Sequence, residues 1–384
     1  MKKLKVALVA DGIIQYGGAE KVLQRLLEVY PDATVFTSIS DPNLVEKEFK
    51  GVNIKNSFLQ IFPFKHHKQF GKLLLLLYPL AYRLFPFFGF DVVISISAHF
   101  SKFVKPWSSK TKHITYILTP PRWLWMHDSR SIKNDNSFLF KFYSFFIGSF
   151  FEKIWQNWDR NAARRADRVI SIAKTVQDRV KNFYDLDSDI IYPPVDVKKI
   201  KVNKDNYSRE KWLLYVGRLE RYKGVHLLIA ACAVTKTPLK IAGKGSELEN
   251  LKQLVTDYNA KGLVKFIHFP SDDEVRELIY RCRALVCPIK DEDFGIVPVE
   301  GNAAGAPVIA YRSGGVMETI SENNPKTGIF FDTWDSHSLA DAILDFDPDQ
   351  FDPMIMRKHA EQFSSEIFKY KFKNYIEDLF KENK

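Results

Sequence analysis

Short uncharged runs separated by longer amphipathic stretches recur along the whole 384-residue chain. Lys5 to Ala10, Thr34 to Ser38, Asp91 to Ile96 and His113 to Leu118 are rich in β-branched and aromatic residues and read as buried strands. Between the first two, Ala19 to Tyr30 places Val22, Leu23, Leu26, Leu27 and Tyr30 on one helix face. The alternation restarts after Tyr192-Pro193-Pro194-Val195-Asp196. There Trp212 to Val216, Leu239 to Ala242, Val264 to His268, Ala284 to Pro288 and Pro307 to Ala310 read as strands. Strands alternating with helices predict an α/β protein with parallel sheets covered on both faces. Two such series predict two facing doubly wound domains, with ligands beyond the carboxyl ends of the strands and therefore in the cleft. The tail from about Met354 to Lys384 is amphipathic, with Phe363, Ile367, Phe368, Tyr370, Phe372, Tyr375, Ile376 and Phe380. No strand follows it, so it is expected to cross back and pack on the N-terminal domain. The expected domains are residues 1–192 with a helix at about 365–384, and residues 193–364.

Composition narrows the class. A hydrophobic content of 46% and a charged content of 27% describe a folded chain rather than a disordered one. The three cysteines give no even disulfide framework and no paired ligand spacing, which fits a reducing compartment. The opening MKKLKVALVA has a short apolar run followed at once by Asp11 and Gly12, and reads as a strand rather than a leader. Net charge is +10, which favours a polyanionic ligand or surface. With no zinc spacing and no RNA-binding aromatic signature, nucleic acid is not the expected partner. Basic and aromatic residues concentrate in Phe58 to Phe90, including Lys65-His66-His67-Lys68, and in Phe138 to Trp158. The apolar run between Lys72 and Arg83, interrupted by Pro79, falls short of the roughly 20 residues that span a bilayer. It reads equally as an interfacial segment against anionic lipid or as a buried helix pair.

Several strand-end segments carry candidate chemistry. Gly17-Gly18-Ala19-Glu20 opens the first helix, where glycines admit a ligand and the helix N-terminus favours phosphate; a plain tight turn has the same look. Arg218 leaves directly from a strand end in Val216-Gly217-Arg218, and Lys223 precedes Gly224 and the next helix. Together their charges suit a diphosphate and its departure as a leaving group, so nothing in the sequence demands a metal or another cofactor. Ala242-Gly243-Lys244-Gly245 would line the same cleft. Glu292 and Glu300 bracket Asp293-Phe294-Gly295-Ile296-Val297-Pro298-Val299 at a loop–helix junction. Carboxylates there accept from sugar hydroxyls, while the same acids near a helix start also favour its dipole.

Taken in order, these segments resemble the family 4 glycosyltransferases, retaining enzymes of the GT-B fold. The resemblance includes Gly17-Gly18-Ala19-Glu20, Thr119-Pro120-Pro121-Arg122-Trp123, Trp158-Asp159-Arg160, Tyr192 to Asp196, Gly217-Arg218 with Lys223, and Glu292 to Glu300. It is closest to bacterial mannosyltransferases of surface-polysaccharide assembly. It implies that Gly17, Gly18, Arg218 and Lys223 bind the donor diphosphate. Glu292 would contact the transferred sugar and be essential for turnover, helped by backbone groups at Phe294, Gly295 and Ile296. Glu300 would hold the ribose, and Phe269, Pro270 and Asp272 the base, although His268 stands where relatives commonly have glycine. Relatives also carry a histidine where this chain has Leu118; His99 would supply an imidazole nearby, or serve only as a strand-end hydrogen-bonding group. Arg122 and Lys102 are further cleft candidates. The implied reaction moves a hexose, mannose from GDP-mannose, to a lipid-linked saccharide at the cytoplasmic face of a bacterial plasma membrane, to which the protein would attach peripherally. The alternatives are a UDP-sugar donor for glucosyl or N-acetylhexosaminyl transfer, and a degenerate nucleotide-binding partner.

Overall fold

The structure is a computed structural model that describes residues 4–62, 74–126, 149–268 and 270–381; the side chains of 149–151 and 207 are outside that description. Lys65-His66-His67-Lys68, Phe269 and most of Phe138 to Trp158 therefore lie outside the described residues. The chain divides into a unit of Met1–Tyr192 with Lys369–Lys384 and a unit of Pro193–Phe368.

In the N-terminal unit, strands β1 (Val6–Ala10), β2 (Thr34–Thr37), β3 (Ile54–Asn56), β4 (Val92–Ser97), β5 (Lys112–Ile117), β6 (Arg168–Ser171) and β7 (Asp189–Ile190) form one sheet. Its order is β3-β2-β1-β4-β5-β6-β7, and every pairing is parallel. All residues of β1 and β4 are buried, as expected for central strands covered on both faces. Helices used below are α1 (Gly18–Val29), α2 (Tyr78–Arg83), α3 (Ser149–Ala163) and α4 (Lys174–Tyr184).

The C-terminal unit repeats this plan with β8 (Leu213–Val216), β9 (Leu239–Ala242), β10 (Val264–Ile267), β11 (Ala284–Cys287), β12 (Val308–Tyr311) and β13 (Gly328–Phe331). They run parallel in the order β10-β9-β8-β11-β12-β13. Here α5 (Val225–Thr235) follows β8 and α6 (Ile296–Ala303) follows β11. The two doubly wound sheets agree with the expected fold class. In each, the strand order reverses once, between β1 and β4 and between β8 and β11, and such switch points open a crevice at the strands' carboxyl ends.

The tail departs from one continuous helix. It forms α7 (Pro353–Glu361) and α8 (Ser365–Lys381), because the backbone at Phe363 and Ser365 pairs with Val195 instead of extending the helix. Phe363 packs on Phe294 in the C-terminal unit, with ring centroids 5.4 Å apart. From Lys369 onward α8 belongs to the N-terminal unit: Phe372 meets Tyr116, Lys369 pairs with Glu28 at 2.8 Å, and Tyr375 donates to Asp189 at 2.7 Å.

The apolar stretch before β4 is neither fully buried nor fully exposed. Leu74, Ala81, Tyr82, Phe85 and Phe87 enter the core, while Leu76, Leu80, Leu84 and Phe88 are exposed. No helix among the described residues is long and apolar enough to cross a membrane.

Candidate functional site

The switch point of the C-terminal unit brings together residues that lie far apart in sequence. Lys223, in the short 3-10 turn after β8, donates to Glu292 Oε2 at 2.8 Å in the loop after β11. The two side chains are only 14% and 17% exposed, so water screens the pair weakly. Burial opposes the charge on Lys223, but the Glu292 carboxylate, with Tyr222 and Asp293, holds its ammonium above the ordinary lysine range. Arg218 extends the cluster. Its Nη2 donates to the Tyr222 hydroxyl at 2.8 Å, and the Tyr222 ring lies 5.1 Å from Lys223 Nζ. Arg218, Tyr222, Lys223 and Glu292 thus form one chain of contacts across β8 and β11.

The backbone around Glu292 is fixed by a segment that the sequence reading passed over, Ser313-Gly314-Gly315 after β12. Ser313 Oγ accepts from Asp291 N at 3.2 Å and donates to Asp291 Oδ1 at 2.9 Å; Gly315 N donates to Glu292 O at 2.7 Å. Gly314 has φ +77°, and a Cβ there would stand 2.4 Å from Glu292 O, so no side chain fits. Gly243 acts similarly for the Arg218 loop: a Cβ would stand 1.9 Å from Gly217 O. Ala242 and Lys244 support the loop through backbone bonds, accepting from Gly217 N and Leu219 N, while Gly243 between them leaves room for the Gly217 carbonyl.

Other expected residues scatter around this cluster. Gly295 caps α6, Ile296 opens it, and Glu300 sits half-buried one turn further on. Phe294 is 2% exposed, with its ring packed on Phe363, so that ring serves the core at this junction and does not line the surface. Asp272 is exposed in the first turn of the helix Asp272–Arg281, next to the half-buried Pro270 and beyond the edge strand β10. Its charge also suits that helix N-terminus.

The N-terminal unit has its own switch-point arrangement, centred on Asp11. Oδ2 accepts from the backbone N–H of Ala98 at 2.7 Å and His99 at 2.8 Å, and Oδ1 from Phe100 at 2.7 Å and Ser101 at 2.6 Å. One carboxylate after β1 thereby fixes the loop after β4 and leaves the His99 side chain exposed. Leu118 continues the β5 ladder, donating to Ser97 O at 2.8 Å. Arg122 is half-buried in the short helix Arg122–Trp125.

Lys102 must be corrected. It is 1% exposed, and its Nζ lies 2.6 Å from Asp159 Oδ1 and 2.5 Å from His99 O. Its charge is spent inside the protein, where it supports the His99 loop from below.

Gly17 caps α1 and Gly18 is its first residue, while Glu20 is 7% exposed in the same turn. Burial pushes the Glu20 carboxyl up to about 7 from 4.5; backbone N–H bonds from Glu20 and Gly17 oppose this, and the Asp11 charge adds to it. The folded state therefore retains a proton that the unfolded chain releases, so stability falls as pH rises between those two values. Glu20→Gln is expected to be more stable than the parent at pH 8 by up to about 3 kcal/mol, and equally stable at pH 4. Urea unfolding at both pH values checks this; a difference independent of pH would contradict it.

Among the described residues no group of His, Cys, Asp and Glu is arranged to hold a metal ion. The chain matches two family models, Glycosyltransferase Family 4 over residues 16–199 and Glycosyl transferases group 1 over residues 196–365. It is 29% identical over 205 residues to the O-antigen chain mannosyltransferase RfbU of Salmonella typhimurium, covering 52% of this chain and 54% of that protein. The match thus spans about half the length of that relative. Among solved structures it is similar to Anabaena HepE in complex with UDP, with a TM-score of 0.71 and 18% identity over 98% of this chain and 100% of that one. Sucrose-phosphate synthase from Thermosynechococcus elongatus gives 0.75 and 19%, covering 98% and 99%.

Proposed function

Because the chain belongs to family 4 of the glycosyltransferases, with the GT-B fold, we propose that it transfers mannose from GDP-mannose, with retention, to a lipid-linked oligosaccharide. The observation that carries a donor site is the Lys223–Glu292 pair beside Arg218 at the β8/β11 switch point. The positive charges of Arg218 and Lys223 suit the departing diphosphate, and Glu292 suits the hydroxyls of the transferred sugar. Gly17 and Gly18 are assigned to the diphosphate as well, Glu300 to the ribose, Pro270 and Asp272 to the base, and Arg122 and His99 to sugar and phosphate contacts. In the proposed step the bond from the anomeric carbon to the diphosphate oxygen breaks. The acceptor oxygen joins that carbon on the same face, and its proton passes to the departing phosphate. The protein contributes position and charge.

Mannose rests on the similarity to RfbU, whose name is that of an O-antigen chain mannosyltransferase, and the lipid-linked acceptor rests on the sequence resemblance to enzymes of surface-polysaccharide assembly. The UDP bound to HepE supports a second reading with a UDP-sugar donor. Calorimetric titration separates the two. GDP is expected to bind at least about tenfold more tightly than UDP, a difference of 1.4 kcal/mol. Binding of UDP without GDP would end the mannosyl assignment. A basic, peripheral association with anionic membrane accompanies this reading, supported by the net charge of +10 and the exposed Leu76, Leu80, Leu84 and Phe88.

A further inference from the structure

The first turn of α1 leaves its capping to an acid. Gly17, at the cap position, has no side chain to accept from the first N–H groups of the turn. Glu20, three residues on, folds back instead, and its carboxyl accepts from the backbone N–H of Gly17 and of Glu20 itself. This is half of a capping box, with the serine or threonine half missing. The N-terminus of this 12-residue helix, which favours an anion, is thereby filled by the chain's own carboxylate.

Folded alone, the chain has no need of a glycine at 17. Its φ of −163° is extended backbone that any residue adopts. Among the described residues a Cβ there would meet one non-neighbouring atom, Glu20 Oε2, at an ordinary 3.5 Å. Gly243 and Gly314 differ, since a Cβ at either would collide with backbone. The bare position at Gly17 therefore leaves room beside the Glu20 carboxyl rather than serving the fold. Room beside backbone N–H groups at a helix start suits a phosphate.

An ionised Glu20 would oppose such a ligand. Two anions would share one helix terminus, and Glu20 is only 7% exposed, so water screens them weakly. Asp11, after β1, is the charged neighbour that acts on Glu20, and it too is negative. The N–H groups of residues 98–101 hold its carboxylate in place. Tyr78 of α2 responds to the same Asp11: burial and then that charge raise its hydroxyl above the ordinary tyrosine range, so it stays neutral. Burial already favours a neutral Glu20, whose carboxyl stands at about 7. A neutral carboxyl accepts more weakly from backbone N–H and has an O–H to donate.

We propose that Glu20 is a proton-linked gate for the donor diphosphate. Ionised, it occupies the start of α1 and excludes the phosphate. Protonated, it releases Gly17 N–H to the phosphate and donates its own O–H to a phosphate oxygen. This rests on the assignment of Gly17 and Gly18 to the diphosphate and gives that assignment a pH dependence. The proton comes from solvent, and no covalent bond other than the carboxyl O–H is made.

Calorimetric titration with GDP and with UDP, in buffers of different ionisation heat at pH 6 and pH 8, counts the protons taken up. Glu20→Gln supplies the reference, because its amide is neutral at both pH values and donates N–H where the acid donates O–H. Titration of the nucleotide itself, and of the exposed His99 imidazole, is common to both proteins. The parent is expected to take up about one proton more than Glu20→Gln at pH 8 and almost none more at pH 6. Its affinity at pH 8 is expected to be about tenfold below that of Glu20→Gln, with equal affinities at pH 6. A Glu20 that serves only the fold would change stability and leave the proton count alone. Gly17→Ala, which the fold accommodates, is expected to weaken binding at pH 6 at least about tenfold by crowding the phosphate. Weaker binding in Gly17→Ala, with the same proton count in parent and Glu20→Gln, overturns the gate and leaves the diphosphate at Gly17. Unchanged binding in both variants takes the diphosphate away from α1 and overturns both.

Discussion

Glu292→Gln is expected to lower turnover of the nucleotide sugar by about 10²–10³-fold while leaving the nucleoside diphosphate bound as tightly as before, or more tightly. The reasoning starts from the pair it makes with Lys223 at 2.8 Å. In the unliganded protein the carboxylate compensates a largely buried ammonium, and a bound diphosphate competes with it for the same charge. Removing the carboxylate frees Lys223 for phosphate and removes the group assigned to the sugar. Lys223→Met has the opposite signature, weakening nucleoside diphosphate binding by at least about tenfold through loss of a charge-assisted hydrogen bond. Calorimetry with the nucleoside diphosphate, together with single-turnover transfer or hydrolysis, reads both properties. If the pair were only a structural tie, both variants would lose stability and binding together. Unchanged turnover in Glu292→Gln would remove Glu292 from the chemistry.

The central strands were legible because a strand covered on both faces has to be apolar throughout, as in Val92 to Ser97. Ile54–Asn56, Asp189–Ile190 and Gly328–Phe331 escaped notice as outer strands of two to four residues, pairing on one side only. Arg168–Ser171 is short and begins with an exposed arginine, which hid it for a different reason. The candidate site divides along a similar line. Arg218, Lys223 and Glu292 stood out because charged residues at strand ends are conspicuous in the sequence itself. Asp11, Ser313 and Gly314 did not, because their roles consist of bonds to backbone that only folding brings near. Asp11 reaches Ala98 and Ser101 across 87 and 90 positions. Lys102 was misread for the same reason: its partner is supplied by another helix, and an ammonium looks the same in sequence whether it faces solvent or Asp159.

That partnership leads to the largest expected effect on stability. The Lys102 and Asp159 side chains are 1% and 3% exposed, with Nζ and Oδ1 2.6 Å apart. Asp159 Oδ2 also accepts from Trp125 Nε1 at 2.8 Å and from the Tyr184 hydroxyl at 2.6 Å, while Lys102 donates to His99 O at 2.5 Å. The pair therefore joins α3 and α4, the short helix holding Arg122, and the loop presenting His99. Asp159→Asn leaves a buried ammonium with only neutral acceptors, and is expected to destabilise the protein by about 3–5 kcal/mol. Lys102→Met should cost less, because Asp159 keeps two donors in Trp125 and Tyr184. The double variant is expected to regain most of the loss, since an Asn in place of Asp159 still accepts from those donors and no charge remains buried. Urea unfolding across the double-mutant cycle measures the coupling, and additive losses would show that the ion pair is not what holds these elements together. Asp11 keeps its four backbone donors in every variant. Hydrogen exchange at residues 98–101 should accordingly stay slow in any variant that folds, separating the support beneath His99 from the clamp that shapes its loop.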